Sequence, residues 1–384
     1  MTRSFPHPIA RPPRAARGFS LLELMTSITI GLLIMAGLAS VFVNSSTANK
    51  EMKNSAEQIE NGRYAIEFLS QDLRHAGYYG ELAALPAVPA AAPDPCAAPT
   101  AGAVSDTSNN ALALPVQYIS AASIPAGCSA LLTAANLMAG SDIVVVRRAD
   151  TTQVNSAGTG TTTTGIVYIQ STADSAELQY GAGGAISNMQ NAAAAASTLQ
   201  RRDFSVAASG TPPQFPQIAA AIRKYRTHIY FVAPCGTPNG GGSLCTGSAD
   251  DLGKPIPTLK RLELDAAGAF TIVPIVEGIE AIRIEYGVDN APVNATDPGT
   301  GSLVGDGLPD LFVNAPTVAE MGNTVAARIY VLARNTTAST GYVDDKTYTL
   351  GTYTTTATND AYKRHVYGAE TRVANQSGRR EIPR

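Results

Sequence analysis

The chain has 384 residues, enough to bury one large core or two modest ones, and a formal charge of −3. Only 15% of residues are charged, and loss of the four arginines before Gly18 leaves 24 basic residues against 31 acidic, a net charge of −7. That balance opposes sequence-independent nucleic-acid binding, which rests on Lys and Arg neutralising phosphates, and it suits an exported body with a polar, weakly charged surface.

Residues 1–18 form a basic leader, with Arg3, Arg11, Arg14 and Arg17 and no acid, which favours retention on the cytoplasmic side of a membrane. From Phe19 to Val43 the chain is apolar for 25 residues with one charge, Glu23. A run of this length spans a bilayer. An acid inside it costs about 2.5–3.5 kcal/mol on insertion scales, so Glu23 needs a partner. Cleavage after Gly18 would create one: the new α-amino group of Phe19 would lie one helical turn away on the same face, available to its own chain or to a neighbour. A secretory signal has a shorter apolar core followed by a small-residue cleavage site; here Asn44-Ser45-Ser46-Thr47 follows. A plain membrane anchor explains the length and the basic flank but neither Gly18-Phe19 nor Glu23. The junction Arg14-Ala15-Ala16-Arg17-Gly18-Phe19-Ser20-Leu21-Leu22-Glu23-Leu24-Met25 closely resembles the class III signal of type IV prepilins and secretion pseudopilins. The resemblance implies removal of residues 1–18 by a prepilin peptidase at the cytoplasmic face, N-methylation of Phe19, an assembly role for Glu23 and a body in the periplasm.

No proline occurs between Pro13 and Pro86, so residues 19–76 are expected to form one continuous helix, about 87 Å long at 1.5 Å per residue. Residues 19–43 are its membrane half. Beyond them Met52, Ile59, Ile66 and Leu73 recur every seven residues, with Ala56, Phe68, Leu69 and Ala76 beside them, and define the expected docking stripe. Arg74 and His75 favour a helix C-terminus, and Gly77 suits the position just beyond it.

Residues 82–104 are rich in Ala and Pro and read as a linker. Strand-like runs follow at 114–119, 143–147, 166–170, 227–233, 259–264, 270–276, 281–286, 326–333, 347–354 and 362–373, several alternating in period two. The Ser/Thr/Gly-rich stretch 151–164 reads as a loop, and 190–200 as a short helix. The expected fold is α+β: a long N-terminal helix packed on an antiparallel β-sheet domain. Its divisions are the leader 1–18, the helix 19–77, a loop-rich lobe 82–222, a β-rich domain 223–373 and a flexible tail 374–384.

The four cysteines, Cys96, Cys128, Cys235 and Cys245, lie outside the span, and none forms C-x-x-C. An even number in a translocated body favours disulfides. Proximity in sequence suggests Cys96–Cys128 and Cys235–Cys245 among three possible pairings. A zinc site lacks paired ligand spacing and nearby histidines. Among the four histidines (His7, His75, His228 and His365) there is no H-E-x-x-H, and the chain has no G-x-S-x-G. Gly247 to Lys254 is one residue too long for a P-loop and is followed by Pro255. The chain therefore presents no catalytic constellation. A calcium loop is the one metal reading: Asp306-Gly307-Leu308-Pro309-Asp310, with Asp289 and Asp297 upstream, offers carboxylates on a Gly-containing turn, although the same residues serve an ordinary hairpin turn.

The helix-end stretches Asn61-Gly62-Arg63-Tyr64-Ala65 and Leu69-Ser70-Gln71-Asp72-Leu73-Arg74-His75-Ala76-Gly77-Tyr78 resemble PilW-type minor pilins. So do Pro274-Ile275-Val276-Glu277-Gly278-Ile279-Glu280, Ile282-Arg283-Ile284-Glu285-Tyr286-Gly287-Val288-Asp289 and Val325-Ala326-Ala327-Arg328-Ile329-Tyr330-Val331-Leu332-Ala333-Arg334. Such proteins are similar to the J-class pseudopilins of type II secretion. The resemblance implies a structural protein, not an enzyme, that helps prime a type IV pilus. Its implied partners are other minor pilins, the major pilin, an inner-membrane assembly platform and a tip adhesin, and cell adhesion and twitching motility are the implied processes. A type II secretion pseudopilin is the alternative. A DNA-uptake pilin is another, with Arg201-Arg202, Arg223-Lys224-Arg226 or Arg379-Arg380 as the basic patch.

Overall fold

The computed structural model describes residues 18–97, 110–155, 161–181, 184–185, 199–202, 207–210, 214, 217–265, 268–291, 295–296, 299 and 303–381. Helix α1 spans Leu21–His75 without a break. It begins two residues after Phe19, where the amide of Leu24 bonds the carbonyl of Ser20. It ends where expected: Gly77 takes φ +74 and sends its N–H to the carbonyl of Arg147, a left-handed step that glycine makes without steric cost. By contacts the chain divides into two units, Met1–Lys53 and Asn54–Arg384. The second is the body.

The body holds two antiparallel sheets. The first contains β1 (Val116–Ile119), β2 (Ile143–Asn155), β3 (Val167–Ser171), β4 (Ala176–Tyr180), β5 (Ile222–Ala233), β6 (Thr258–Leu264) and β7 (Phe270–Glu277). Its order is β1-β2-β5-β6-β7, with the β3–β4 hairpin joined to the start of β5. The second sheet contains β8 (Ile279–Val288), β9 (Leu311–Val313), β10 (Thr324–Arg334) and β13 (Arg364–Arg372), in the order β9-β8-β10-β13. A small hairpin, β11 (Thr347–Leu350) and β12 (Tyr353–Thr356), precedes β13. The stretch 347–354, expected as one strand, is thus a hairpin that turns at Gly351-Thr352. Helices α2 (Val318–Gly322) and α3 (Ala374–Arg380) complete the body. Gly278 alone links the two sheets between β7 and β8. Its φ is +74, and a Cβ there would lie 2.8 Å from the carbonyl oxygen of Arg334.

Alternation along the first sheet explains how both of its faces are buried. Val144, Val146, Tyr230 and Val232 point to the core that holds Ala65, Leu69, Leu73 and Ala76 of α1 and Ile282, Ile284, Ile329 and Val331 of the second sheet. Their neighbours Ile143, Val145, Ile229 and Phe231 point to an outer core with Ile119, Leu132 and the four cysteines. The helix therefore packs on both sheets at once, and the loop residues Cys96, Ile124, Cys128, Leu131, Leu132 and Leu137 cover the back of the first.

Four expectations are affected. The stretch 82–222 is not a lobe apart from the C-terminal domain, because β1 and β2 pair with β5 across the supposed boundary: Val144 faces Tyr230 and Val146 faces His228. Residues 151–155 continue β2, so the loop read at 151–164 starts later, and its residues 156–160 lie outside the described residues. The expected helix at 190–200 falls largely outside them too, and Gln200–Arg202 is a strand. The tail is not flexible over 374–380. It is α3, with Gln376 and Ser377 buried, and it caps α1. Asn375 donates to the carbonyl of Ala76 at 3.1 Å, and Arg379 donates to that of Gly77 at 2.9 Å. A cation at a helix C-terminus also opposes the helix dipole favourably.

Gly307 (φ +78) tests this tail. A Cβ there would sit 2.5 Å from the carbonyl oxygen of Ser377 in α3. Gly307→Ala is expected to destabilise the body by about 1–3 kcal/mol through backbone strain and displacement of α3, read as a lower denaturant midpoint at unchanged slope.

Candidate assembly site

The first unit contributes an apolar surface. From Phe19 to Val43 all the large apolar side chains are exposed, from Ile28 at 54% to Phe19 at 81%. This is the one helix among the described residues long and apolar enough to cross a membrane. Three of its hydroxyls are satisfied within the helix, as Thr26 and Ser27 donate to the carbonyl of Glu23 and Thr29 to that of Met25, and just beyond the span Thr47 donates to that of Val43. Such back-bonding removes the cost of carrying them through hydrocarbon. Glu23 stands in the first turn, where a carboxylate favours the helix dipole. It is the span's one charged side chain. Gly18 and Phe19 precede the helix, extended and exposed.

The body grips the other end of α1. The docked face is Asn54, Gln58, Gly62, Ala65, Leu69, Leu73 and Ala76, and it is not the whole expected stripe. Met52 and Ile59 are exposed and Ile66 is half-buried, so only the C-terminal part of the stripe docks. The reason lies in the second sheet. Gln58 donates to the carbonyls of Ala333 (2.9 Å) and Lys363 (2.8 Å). At Gly62 the ring of Tyr367 occupies the space a Cβ would need, 2.2 Å from its position. Rotating the helix to bury Met52 and Ile59 would break both contacts. A hydrophobicity pattern misses this face because two of its members are amides and one is glycine. Their spacing, four, four and three residues, is the signal that remained.

Ile59 and Tyr64 consequently stay outside, lining an open groove of about 630 Å³ with Ala56, Glu60, Arg63 and Glu67.

Asp72 locks α1 against the first sheet. Its carboxylate accepts from Arg148 Nε (2.6 Å), His228 Nδ1 (2.7 Å) and the Tyr230 hydroxyl (2.7 Å). Burial works against its charge, but the hydrogen bond and charge of His228, together with Arg148 and Tyr230, outweigh it and hold the carboxyl well below the usual range. His228 is thus a structural histidine. His75 bonds the carbonyl of Gln71, and His365 stacks edge-on with Tyr367.

The other sequence candidates are placed as follows. Cys96 bonds Cys128, and Cys235 bonds Cys245. Asp289 is buried and paired with Arg380 at 2.9 Å, and it also accepts from the amide of Gly307. Asp306 accepts from the amide of Leu308 and Asp310 from that of Asn290. Among the described residues these three do not form a cluster of metal-ligating oxygens, and Asp297 lies outside the described residues. In the basic patches, Arg223 bonds the carbonyls of Asp150 and Thr151, Arg226 pairs with Asp150, and Arg379 and Arg380 turn inward. The side chains of Arg201 and Arg202 lie outside the described part.

Residues 243–375 match the family described as Type IV Pilus-assembly protein W. Residues 13–39 match the prokaryotic N-terminal methylation motif, so the last six residues of the basic leader, with Arg14, Arg17 and Gly18, then Phe19, Glu23 and most of the span fall within one motif. No curated protein and no solved structure matches the chain.

Removing one partner of a buried ion cluster strands the others, so Asp72→Ala is expected to cost about 3–5 kcal/mol. The folded carboxyl titrates below its unfolded value of about 3.9. Its stabilisation is therefore complete above that value and is lost as the pH falls through the folded one. Denaturant unfolding of both proteins checks this: the gap between them should be full at neutral pH and narrow from about pH 5 towards about pH 2.

Proposed function

Because the chain is a pilin of the PilW type with a class III prepilin signal, we propose that it is a minor pilin that primes and supports type IV pilus assembly within an initiation or tip complex of minor pilins. The observation that carries the reading is α1 itself: clamped to the body from Asn54 onward and bare of partners over its apolar half. A helix built this way is stable in lipid and equally suited to a bundle of like helices, so a subunit can pass from one to the other without refolding its body.

In this reading a prepilin peptidase hydrolyses the Gly18–Phe19 peptide bond at the cytoplasmic face, and the freed amine of Phe19 is methylated. Methylation keeps the amine basic, so a cation remains for Glu23. Within the bilayer Glu23 pairs with the Phe19 amine of a neighbouring subunit. Both charges are costly there alone, and pairing relieves both. The pairing therefore selects a stagger between helices that apolar packing leaves undetermined. The body lies in the periplasm, where two disulfides are chemically sustained. The assembly platform, other minor pilins, the major pilin and a tip adhesin are its partners. In this reading the protein is a structural subunit and performs no catalysis.

Mass spectrometry of the N-terminal peptide from membrane-extracted protein should find a chain that starts at N-methylated Phe19. An intact leader in cells with active prepilin peptidase would make this a plain anchor. Glu23→Val should leave membrane insertion intact and lower incorporation into filaments about tenfold or more, the ratio that about 1.4 kcal/mol of lost pairing produces. Normal incorporation would remove Glu23 from the mechanism. Copurification with secretion pseudopilins in place of pilus subunits would transfer the same physics to type II secretion.

A further inference from the structure

The two disulfides share one face of the body but not one electrostatic setting. Both lie in the outer core of the first sheet. Each has a carboxylate close by: Asp94 at Cys96–Cys128 and Asp250 at Cys235–Cys245, every pair of ligand atoms lying within 4.8 Å. Both carboxylates are held by amides. Asp94 accepts from the amides of Cys96 and Gly127, and Asp250 from those of Asn239, Thr246 and Gly247 and from the Thr246 hydroxyl. The difference between the sites is Lys260. It stands on β6 opposite Phe231 and Pro274, is 1% exposed, and brings its Nζ to 3.8 Å from the sulfur of Cys245 and 3.9 Å from that of Cys235.

A disulfide sulfur is a weak acceptor, so an ammonium buried against two of them is poorly solvated. Burial pushes the Lys260 amine below its ordinary range, while Asp251 and Asp250 pull the other way. Reduction changes the partner. A thiolate in place of the disulfide gives the ammonium a full counter-charge, and a thiolate beside a lysine is itself stabilised. Lys260 therefore interacts more strongly with the reduced form than with the oxidised form and shifts the equilibrium towards reduction.

We propose that Cys235–Cys245 is a redox-active site, reduced by dithiol reductants ahead of the structural Cys96–Cys128 pair, with Lys260 as the residue that sets the difference. In the reaction a thiolate of the dithiol attacks the sulfur of Cys245, the slightly more exposed partner at 5% against 0%. The protein S–S bond breaks and Cys235 leaves as a thiolate facing Lys260. The second thiol of the reductant then displaces Cys245 from the mixed disulfide. The reductant ends as its own disulfide, having given two electrons. Of its two protons one ends on Cys245, and the other goes to solvent while Cys235 remains a thiolate. The bond that opens closes the loop 236–244, which hydrogen bonds tie to the turn Asp250–Gly253: Asp250 holds the amide of Asn239, and Asp251 those of Gly236, Thr237 and Ile256, beside the fully exposed Leu252. Reduction thus loosens the surface turn that carries the fully exposed Leu252.

The test is a redox titration of the full-length protein in detergent, in buffers of reduced and oxidised dithiothreitol, with acid quenching, N-ethylmaleimide trapping and peptide mapping. The Cys235–Cys245 pair is expected to be half-reduced at a ratio of reduced to oxidised reagent about tenfold lower than the other pair. Lys260→Met should close most of that gap and Lys260→Arg should keep it. Joint reduction of the two pairs, or an unchanged gap in Lys260→Met, overturns the proposal. Should the Met variant fail to fold, the reduced wild-type protein still decides: alkylation across pH should place one thiol of this pair well under the ordinary value of about 8.5, and a value at or above it overturns the assignment.

Discussion

One helix has to satisfy two solvents, and the rest of the molecule is arranged around that requirement. Over Leu21–Val43 the surroundings offer no hydrogen bonds, so the helix turns its own hydroxyls back onto its carbonyls and keeps a single unsatisfied acid. Over the body the logic reverses. The docked face includes Asn54, Gln58 and Asp72, which an isolated amphipathic helix would leave in water. The polar groups of Gln58 and Asp72 are not tolerated passengers. Gln58 engages backbone of the second sheet and its flanking loop, and Asp72 engages three side chains of the first. Apolar packing by Leu69 and Leu73 supplies most of the attraction, but it tolerates sliding and rotation. The directional bonds remove that freedom and set the register of the helix against both sheets.

Much of this was legible in the residues. The span, the end of α1 at Gly77 and the cores of the long strands follow from apolar periodicity and from glycine's backbone freedom. The docked face was not, because its positions from Asn54 to Gly62 carry no hydrophobic signal, and Gly62 matters through what it lacks. The unity of the body was also hidden. The link between β2 and β5 joins residues some eighty positions apart, across a segment whose own composition looks like a loop. The tail was misread for a related reason: Ala374-Asn375-Gln376-Ser377-Gly378 has poor intrinsic helix propensity, and its order comes from tertiary bonds to α1 and to Gly307. At the candidate site, Gly18, Phe19 and Glu23 stood out by local pattern alone. Lys260 could not, since nothing in a sequence places a β6 lysine against cysteines on two other segments.

The back of the first sheet shows how a chain with few charges and many small residues builds a second core. Loops covering a sheet carry backbone groups that must be satisfied, and here carboxylates do much of that work: Asp94, Asp250 and Asp251 each collect amides of the loops around a disulfide. The covalent bonds hold the loops near the sheet, and the acids give them one conformation.

The contacts that fix α1 are also the most distant along the chain. Gln58 meets Ala333, 275 residues later, and Ala76 meets Asn375, 299 residues later. The helix is synthesised early, yet its carbonyl end is closed only by residues about three hundred positions later. A polypeptide interrupted anywhere before α3 leaves the helix loosely held, whatever else has folded. The closure of α1 by α3 is therefore a physical marker that the body has been made as far as α3, and only then is the helix a rigid handle on it.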